Sequence, residues 1–452
     1  MVENKAEDLS LKVAAAKKAS ALLAQVSDQT KTAALKSAAR EIMENVTPLI
    51  SSNKADIVVA EKKLAKGELS KSLLARLKLD NEKIAEISRM VESVAALPDP
   101  VGKTTYSCKL DECLDLYKVT VPFGVIAAIF EARPDALPQI VALCIKSGNC
   151  VLLKGGSEAA ESNRVMFSLM ESALVREGIP KGAIQLIEGR EAVSALLKME
   201  DQIDLVIPRG SNEFVKYIQA NTRIPVLGHS SGICHIFVDK DADPDKAIRI
   251  CHDARVQYPA ACNAMKILLM DRQIAPSLLP RIAEKMILSG VKLKGCQEAV
   301  RILSDAGMPI RAADNKDWVT EYLELVLPIK IISGVEEAIV HINKFSSHHT
   351  DAIITENADN AKRFLSMVDS STVMVNASTR FSDGYRYGLG AEVGISTNKI
   401  HARGPVGLEG LVTTKYLLIG SGHIVGDYVG QNARRFVHAP LESDFLVRMK
   451  KW

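Results

Sequence analysis

The chain is poor in the features that mark whole classes of protein. Its eight cysteines, at 108, 113, 144, 150, 234, 251, 262 and 296, form no C-x-x-C pair and no His/Cys ligand spacing. That excludes a zinc ribbon or a disulfide framework, leaves no metal site to expect, and predicts reduced thiols in a cytoplasmic setting. No apolar run reaches the length of a membrane span, and the N-terminus carries Glu3, Glu7 and Asp8 without an apolar h-region. Neither a membrane anchor nor a secretory leader is therefore expected. Charge of one sign is also missing: 57 Lys and Arg against 54 Asp and Glu leave a formal +3, spread without blocks. Such a surface offers no footprint for nucleic acid or an anionic membrane, which makes a small molecule the expected partner. There is no internal repeat and no low-complexity tract.

At 452 residues and 47% apolar composition, the chain is too long for one core and rich enough to fill two or three. From about 8 to 95 the pattern is helical. Leu35, Ala38, Ala39, Ile42, Val46 and Leu49 recur at the spacing of one buried face. Asp99-Pro100 ends this layer, and 104–121 reads as a hairpin around an acidic turn. Between 124 and 228, apolar runs at 124–130, 149–153, 183–187, 203–207 and 224–227 alternate with helical patterns at 135–147, 157–177, 190–200 and 211–221. Repetition of this kind predicts a mostly parallel sheet covered on both faces. Asp135 and Ser157 stand where N-caps belong, and Gly148 and Gly178 stand where helices end.

A second α/β unit starts near 232. Strands at 234–238, 265–270, 325–332, 351–354 and 372–376 alternate with helices at 244–256, 274–289, 296–306, 335–345 and 358–368, and Asp243-Pro244 caps the first of these helices. The stretch from 384 is glycine-rich and irregular, followed by a strand over 411–419. Two α/β domains side by side predict an interdomain cleft for cofactor and substrate. Cys262 lies on the short polar connection between the 244–256 helix and the 265–270 strand, where a thiol can meet substrate. Taken alone, a cysteine there is more often a small buried apolar residue than a nucleophile.

Eight segments carry more information together. They are Gly124-Val-Ile-Ala-Ala-Ile-Phe-Glu-Ala-Arg-Pro-Asp135, Leu153-Lys-Gly-Gly156, Ile207-Pro-Arg-Gly210, Ala261-Cys-Asn-Ala264, Asp369-Ser-Ser-Thr372, Val375-Asn-Ala-Ser-Thr-Arg-Phe381, Gly388-Leu-Gly-Ala-Glu-Val393 and His401-Ala-Arg-Gly-Pro405. In this order, over roughly residues 10 to 425, the chain resembles the gamma-glutamyl phosphate reductase (glutamate-5-semialdehyde dehydrogenase) family, a branch of the aldehyde dehydrogenase superfamily. The resemblance implies an α/β, aldehyde dehydrogenase-like fold with two Rossmann-like parallel-sheet domains, an N-terminal helical layer and a β-ribbon oligomerisation arm. Residues 1–103 would be the helical part of the cofactor domain, 104–121 the oligomerisation hairpin, 122–230 the NADP-binding domain and 231–376 the catalytic domain. Residues 377–410 would return to the cofactor domain, and 411–452 would hold the oligomerisation strand and tail.

The same resemblance implies a reaction: NADPH-dependent reduction of L-glutamyl 5-phosphate to glutamate 5-semialdehyde with release of phosphate, the second step of proline biosynthesis. Cys262 would be the thiolate that displaces phosphate to leave a thioester, with its own backbone amide and Asn263 as donors to the oxyanion. Lys154, with Gly155 and Gly156 at a helix mouth, would hold the adenosine ribose and a 2′-phosphate. Pro208, Arg209, Gly210 and Ser211 would form the glycine turn at the pyrophosphate, although its second glycine is missing, with Val215 near that place. Glu321 would hold the nicotinamide ribose. Arg133, Arg380 and Arg403, with Asn376, Ser378 and Thr379, are the residues for the substrate's anions, Arg380 first. For Arg403 a structural ion pair is an equal reading, and His401, Gly404 and Pro405 also read as guides for the returning chain.

Two departures from the superfamily pattern bear on mechanism. Where ordinary aldehyde dehydrogenases place an oxyanion-binding asparagine, this chain has Arg133-Pro134-Asp135, so Asp135 is either a helix cap or a contact for the substrate's ammonium. Where aldehyde-oxidising relatives place a water-activating glutamate, it has Leu227-Gly-His-Ser-Ser-Gly232. An enzyme that must keep its thioester until hydride arrives has reason to lack that base, and His229 is left either to position substrate or to sit in a solvent-facing turn. A semialdehyde dehydrogenase acting oxidatively and a catalytically silent structural relative are the alternatives. The expected partners are a separate glutamate 5-kinase, since no kinase segment precedes this region, and a second copy of the chain in a homodimer or higher homo-oligomer.

Overall fold

The computed structural model describes residues 2–69, 71–131, 133–189, 191–228, 231–441 and 444–449. Five helices open the chain, Val2–Leu23, Asp28–Glu44, Val46–Ala65, Lys71–Leu77 and Asn81–Ala95. The side chain of Ser27 caps the second by accepting from the Thr30 amide, and Asp80 caps the fifth by accepting from Lys83. The expected face is the buried one: Ala34, Leu35, Ala38, Ala39 and Ile42 turn inward with Ile84, Ile87, Val91 and Val94.

Beneath this layer lies a parallel sheet in the order Ile184–Leu186, Cys150–Lys154, Val125–Phe130, Leu205–Arg209. Every residue of Val125–Phe130 and of Cys150–Lys154 is buried, the pattern of central strands covered on both faces. The helices, this sheet and the late residues Ala391, Val393, Val406, Leu408 and Leu411 share one apolar core, so the chain comes back to its first sheet after the second is built.

The second sheet has seven strands, all parallel, in the order Arg311–Ala312, Lys292–Gly295, Val326–Ile332, Met265–Asp271, Cys234–Val238, Thr350–Ile354, Thr372–Val375. Ile236 and Val238 join one core and Phe237 the other, as the two-residue period of a strand requires. The third sheet is antiparallel. Thr104–Asp111 and Leu114–Pro122 form the expected hairpin, Val412–Ile419 pairs with 115–122 along its whole length, and Ala439–Pro440 closes the far edge.

Several expectations are corrected. Asp135 occupies the residue before helix Ala136–Lys146, but its backbone is already helical and its side chain makes no capping bond. Ser157 does not cap either; it opens a single 3₁₀ turn, and the helix proper runs from Ala160 to Arg176. The run 224–227 contributes one bridge, Val206 to Val226, with Pro225 in its middle, and the 190–200 helix shortens to Ala192–Leu196. Strands Lys292–Gly295, Arg311–Ala312 and Ala439–Pro440 carry no detectable period because they are two to four residues long. Gly148 and Gly178 do close their helices, with φ of 76° and 93°.

One buried cation ties the helical layer together. Lys146, 1% exposed, donates to the Asp28 carboxylate, to Thr32 Oγ1 at 2.8 Å and to the Ala95 carbonyl at 3.1 Å, and so joins three helices. Lys146→Met keeps the stem and removes the donors, leaving the Asp28 carboxylate without its buried cation and the Ala95 carbonyl with only the longer bond from Thr32 Oγ1 at 3.3 Å. The expected loss is about 2 kcal/mol, read as a lowered thermal midpoint with cofactor binding unchanged.

Candidate active site

Cys262 is presented by a loop that the sequence shapes on both sides. Helix Pro244–Val256 begins under the Asp243 cap, which accepts from the Lys246 amide at 2.8 Å. After it the chain turns twice, with Ala261 N donating to Tyr258 O at 3.1 Å and Ala264 N to Ala261 O at 3.2 Å, before strand Met265–Asp271 begins. Cys262 is half-buried, whereas Cys144, Cys150, Cys234 and Cys251 are buried outright. Burial pushes those four thiols up, Cys150 to about 12, and leaves them unreactive.

The chain arriving from the first sheet lies directly against this loop. A methyl group on Gly232 would stand 2.6 Å from Cys262 Cα and 2.7 Å from its carbonyl carbon. Two residues later, Cys234 Sγ donates to the Cys262 carbonyl at 3.2 Å. Gly232 therefore packs on the Cys262 backbone, and the sequence of the segment 227–232 has no carboxylate. His229, expected at the substrate, and its neighbour Ser230 lie outside the described residues.

Four charged side chains sense Cys262 electrostatically: Arg209, Lys266, Arg380 and Glu392. Arg380 rides on the single turn Thr379–Phe381, capped by Ser378. Its Nε donates to Gln257 Oε1 at 2.9 Å, and its guanidinium stacks 5.9 Å from the centre of the Tyr258 ring. Thr379 beside it is fully buried, and its hydroxyl has no partner among the described residues. Arg209 reaches Gln139 Oε1 at 3.3 Å and the Glu392 carbonyl at 3.1 Å, with Arg133 and Asp135 close enough to act on its charge. This expected cofactor residue thus stands on the cysteine side of the cleft. Asn263 is buried and donates from Nδ2 to Ser382 O at 2.8 Å, while its Oδ1 has no partner among the described residues.

The remaining expected substrate residues are engaged with the fold. Asn376 has a left-handed backbone, φ 53°, and both ends of its amide are taken by Thr355, with Oδ1 accepting from N at 2.9 Å and Nδ2 donating to O at 2.8 Å. That commitment makes it a loop former. Arg403 binds the Asp369 carboxylate at 3.0 Å and its carbonyl at 3.1 Å, so the ion-pair reading is the one realised. His401 Nε2 meets the Gly410 carbonyl at 2.9 Å while its ring packs on Phe123.

A separate cavity of about 850 Å³ opens at the carboxyl ends of the first sheet's strands, lined among others by Glu131, Lys154, Gly155, Gly156, Glu188 and Ser211. Pro208, Arg209 and Gly210 are not in its lining. The Lys154 ammonium donates to the Gly155 carbonyl at 2.6 Å and is lowered by burial, against the pull of Glu158 and Glu188. At the start of helix Asn212–Ala220, Glu131 accepts from the Ser211 amide at 3.1 Å; burial raises this carboxyl. Gly155 is required by packing, since a methyl there would meet the Asn163 amide and the Phe130 ring. Asn163 is itself buried, lines the cavity and leaves its Oδ1 without a partner among the described residues. A cavity of this volume, with a cation, glycines and a waiting acceptor at strand ends, fits a dinucleotide. Glu321 accepts from Asn212 Nδ2 at 3.2 Å, which ties the loop before strand Val326–Ile332 to the start of helix Asn212–Ala220.

Glu392 and Lys266 were not among the expected site residues. Lys266 had a signal, being the lone cation inside an apolar strand. Glu392 lay in the motif Gly388–Val393 but had no role to read there, because only the return of the chain brings it near Cys262. Its carboxyl accepts from the Gly384 amide at 2.9 Å and is raised to about 7, chiefly by burial; Arg209 opposes the shift, and a thiolate at Cys262 and Asp383 add to it.

Two outcomes follow from this geometry. Gly232→Ala cannot be accommodated without moving the Cys262 backbone, so turnover should fall roughly a hundredfold or more, while cofactor binding at the distant cavity persists by fluorescence titration. For Glu392 the native state holds a proton between about pH 4.5 and 7 that the unfolded chain releases. Its contribution to stability is fully present below the lower value and is lost as pH rises through the upper one. Glu392→Gln is free of that loss, so its stability relative to the parent should improve by about 2 kcal/mol from pH 5 to pH 8 in denaturant titrations.

Comparison with known proteins agrees with the geometry. The profile of the aldehyde dehydrogenase family matches residues 1–300. The gamma-glutamyl phosphate reductase of Methanosarcina acetivorans is 51% identical over 442 residues, covering 97% of this chain and 99% of that one. The crystal structure of gamma-glutamyl phosphate reductase from Thermotoga maritima superposes with a TM-score of 0.87 at 39% identity, over 92% of this chain and 99% of that one. An acetylating aldehyde dehydrogenase from Geobacillus thermoglucosidasius shares the fold at 16% identity, with a TM-score of 0.66 over 93% of this chain and 98% of that one.

Proposed function

Given that this chain belongs to the gamma-glutamyl phosphate reductase family of the aldehyde dehydrogenases, we propose that Cys262 is the nucleophile with which it reduces L-glutamyl 5-phosphate to glutamate 5-semialdehyde, releasing phosphate. The observation that carries the assignment is the half-buried Cys262 thiol among Arg209, Arg380 and Lys266, on a loop pressed by Gly232. An acyl phosphate is an electrophile that already carries its leaving group. The thiolate attacks the acyl carbon, the bond to the phosphate oxygen breaks, and a thioester remains.

A bound nicotinamide cofactor supplies the hydride that reduces this thioester. The chain's own residues do the rest. Arg380 and Arg209 neutralise the substrate's anions, and the loop amides with Asn263 support the oxyanion. The segment 227–232 carries no carboxylate to activate water, which favours survival of the thioester until reduction. Lys154, at the glycine turn on the cavity wall, favours a cofactor bearing a 2′-phosphate, hence NADPH, and Glu321 takes the nicotinamide ribose. Asp135, beside Arg209 and bare of any capping role, is assigned to the substrate's ammonium. In the antiparallel sheet, Val412–Ile419 is an edge strand with Tyr416 and Leu418 exposed, which supports docking of a second copy there. A glutamate 5-kinase is the partner that would supply so labile a substrate.

The test runs the reaction backwards, as NADP reduction by glutamate semialdehyde with and without phosphate. The parent should depend on phosphate, and Cys262→Ser should lose roughly a thousandfold or more in kcat. Turnover without phosphate would replace this reading with an oxidative dehydrogenase, and an active Cys262→Ser would remove the nucleophile.

A further inference from the structure

Inside the strand that follows the nucleophile, Met265–Asp271, six residues are apolar or lie at its end, and one is a lysine with no exposed surface at all. Burying an ammonium costs several kcal/mol unless its hydrogens are well used. Lys266 uses them on the nucleophile's own loop: Nζ donates to Pro259 O at 2.7 Å and to Ala261 O at 2.9 Å. Those carbonyls belong to the three residues just before Cys262, so one cation pins the loop where it turns toward the cleft.

The surroundings of this cation are arranged to keep it in place. Arg255, equally buried on helix Pro244–Val256, holds the Met265 carbonyl at 2.9 Å and the Glu324 carbonyl, and so fixes the strand's first residue. Lys266 is lowered to about 8, first by burial and then by Arg255, while Glu321 from the loop before strand Val326–Ile332, Cys234 from the neighbouring strand and Cys262 draw it upward. The interaction with Cys262 is reciprocal: a thiolate that makes the ammonium keep its proton is itself favoured by that ammonium.

We propose that Lys266 is a positioning residue for Cys262, holding the loop through the Pro259 and Ala261 carbonyls and favouring the thiolate with its charge. The inference rests on Cys262 being the nucleophile. It assigns Lys266 no contact with substrate or cofactor. It also explains why a lysine occupies a position in the sheet where an apolar residue would be the cheaper choice.

The experiment reads the thiol directly, without substrate. The intact protein is treated with iodoacetamide from pH 5.5 to 9.5, and alkylation of the Cys262 peptide is followed by mass spectrometry, with exposed Cys113 at the hairpin tip as internal reference. In Lys266→Met the rate at Cys262 should fall about tenfold at pH 7 and its midpoint should move up by about one pH unit, with Cys113 unchanged. Lys266→Arg, which keeps a cation, should restore most of the rate. Should Lys266→Met not fold, Lys266→Gln is read the same way. A folded charge-free variant with the parent's Cys262 profile overturns the proposal, as does failure of Lys266→Arg to recover more than Lys266→Met. Because alkylation needs no turnover, an active Cys262→Ser would sink the nucleophile assignment while leaving this charge effect measurable.

Discussion

At one point two backbones meet with no room for a methyl group: Gly232, leaving the first sheet, lies on Cys262, which is about to enter the second. The site depends on this contact. The large cavity lined by Lys154 and Gly156 opens at the carboxyl ends of the first sheet's strands, whereas Gly232 and Cys262 stand just before strands Cys234–Val238 and Met265–Asp271 of the second. The end of one sheet thus faces the beginning of the other, and the thiol sits at the seam. Cys234 pairs with Met265 before the register shifts to His235 opposite Ile267, so the two approaches are joined by one strand pair and by the Gly232 contact, and looseness at Gly232 would be looseness at the Cys262 backbone.

Around that seam the protein buries charge in an ordered way. Cations come from three places: Arg209 ends a strand of the first sheet, Lys266 lies inside the second, and Arg380 rides on the chain that returns from it. Glu392, an acid that acts on the same thiol, is raised to about 7 by its burial and so keeps much of its proton near neutral pH. The combination favours a thiolate and anionic substrate groups over an ionised base. Physical economy runs the same way as the missing glutamate in Leu227–Gly232: the site is equipped to hold an acyl group and poorly equipped to hydrolyse it.

Much of this was legible from spacing. The helical face of Leu35, Ala38, Ala39 and Ile42, the strands at 125–130, 150–154, 234–238 and 265–271, and the hairpin all follow from local periodicity over five or more residues. Asp135 and Ser157 show where such reasoning fails. Both have the right side chain at the right place, yet the first has a helical backbone and the second enters a 3₁₀ turn, so neither caps. Asn376 fails differently, because its amide is consumed by Thr355, a partner twenty-one residues away that no local pattern reveals.

The sequence by itself determined the family and the two sheets and singled out Cys262 as the candidate nucleophile, since these reside in motifs and periods carried by neighbouring residues. Tertiary structure alone decided that Arg209 turns to the thiol and away from the dinucleotide cavity, that Arg403 is spent on Asp369, and that Lys266 and Glu392 belong to the site. Charge and hydrogen bonding act through space, and their partners here lie from five to nearly two hundred residues apart along the chain. Only folding brings them within reach of each other.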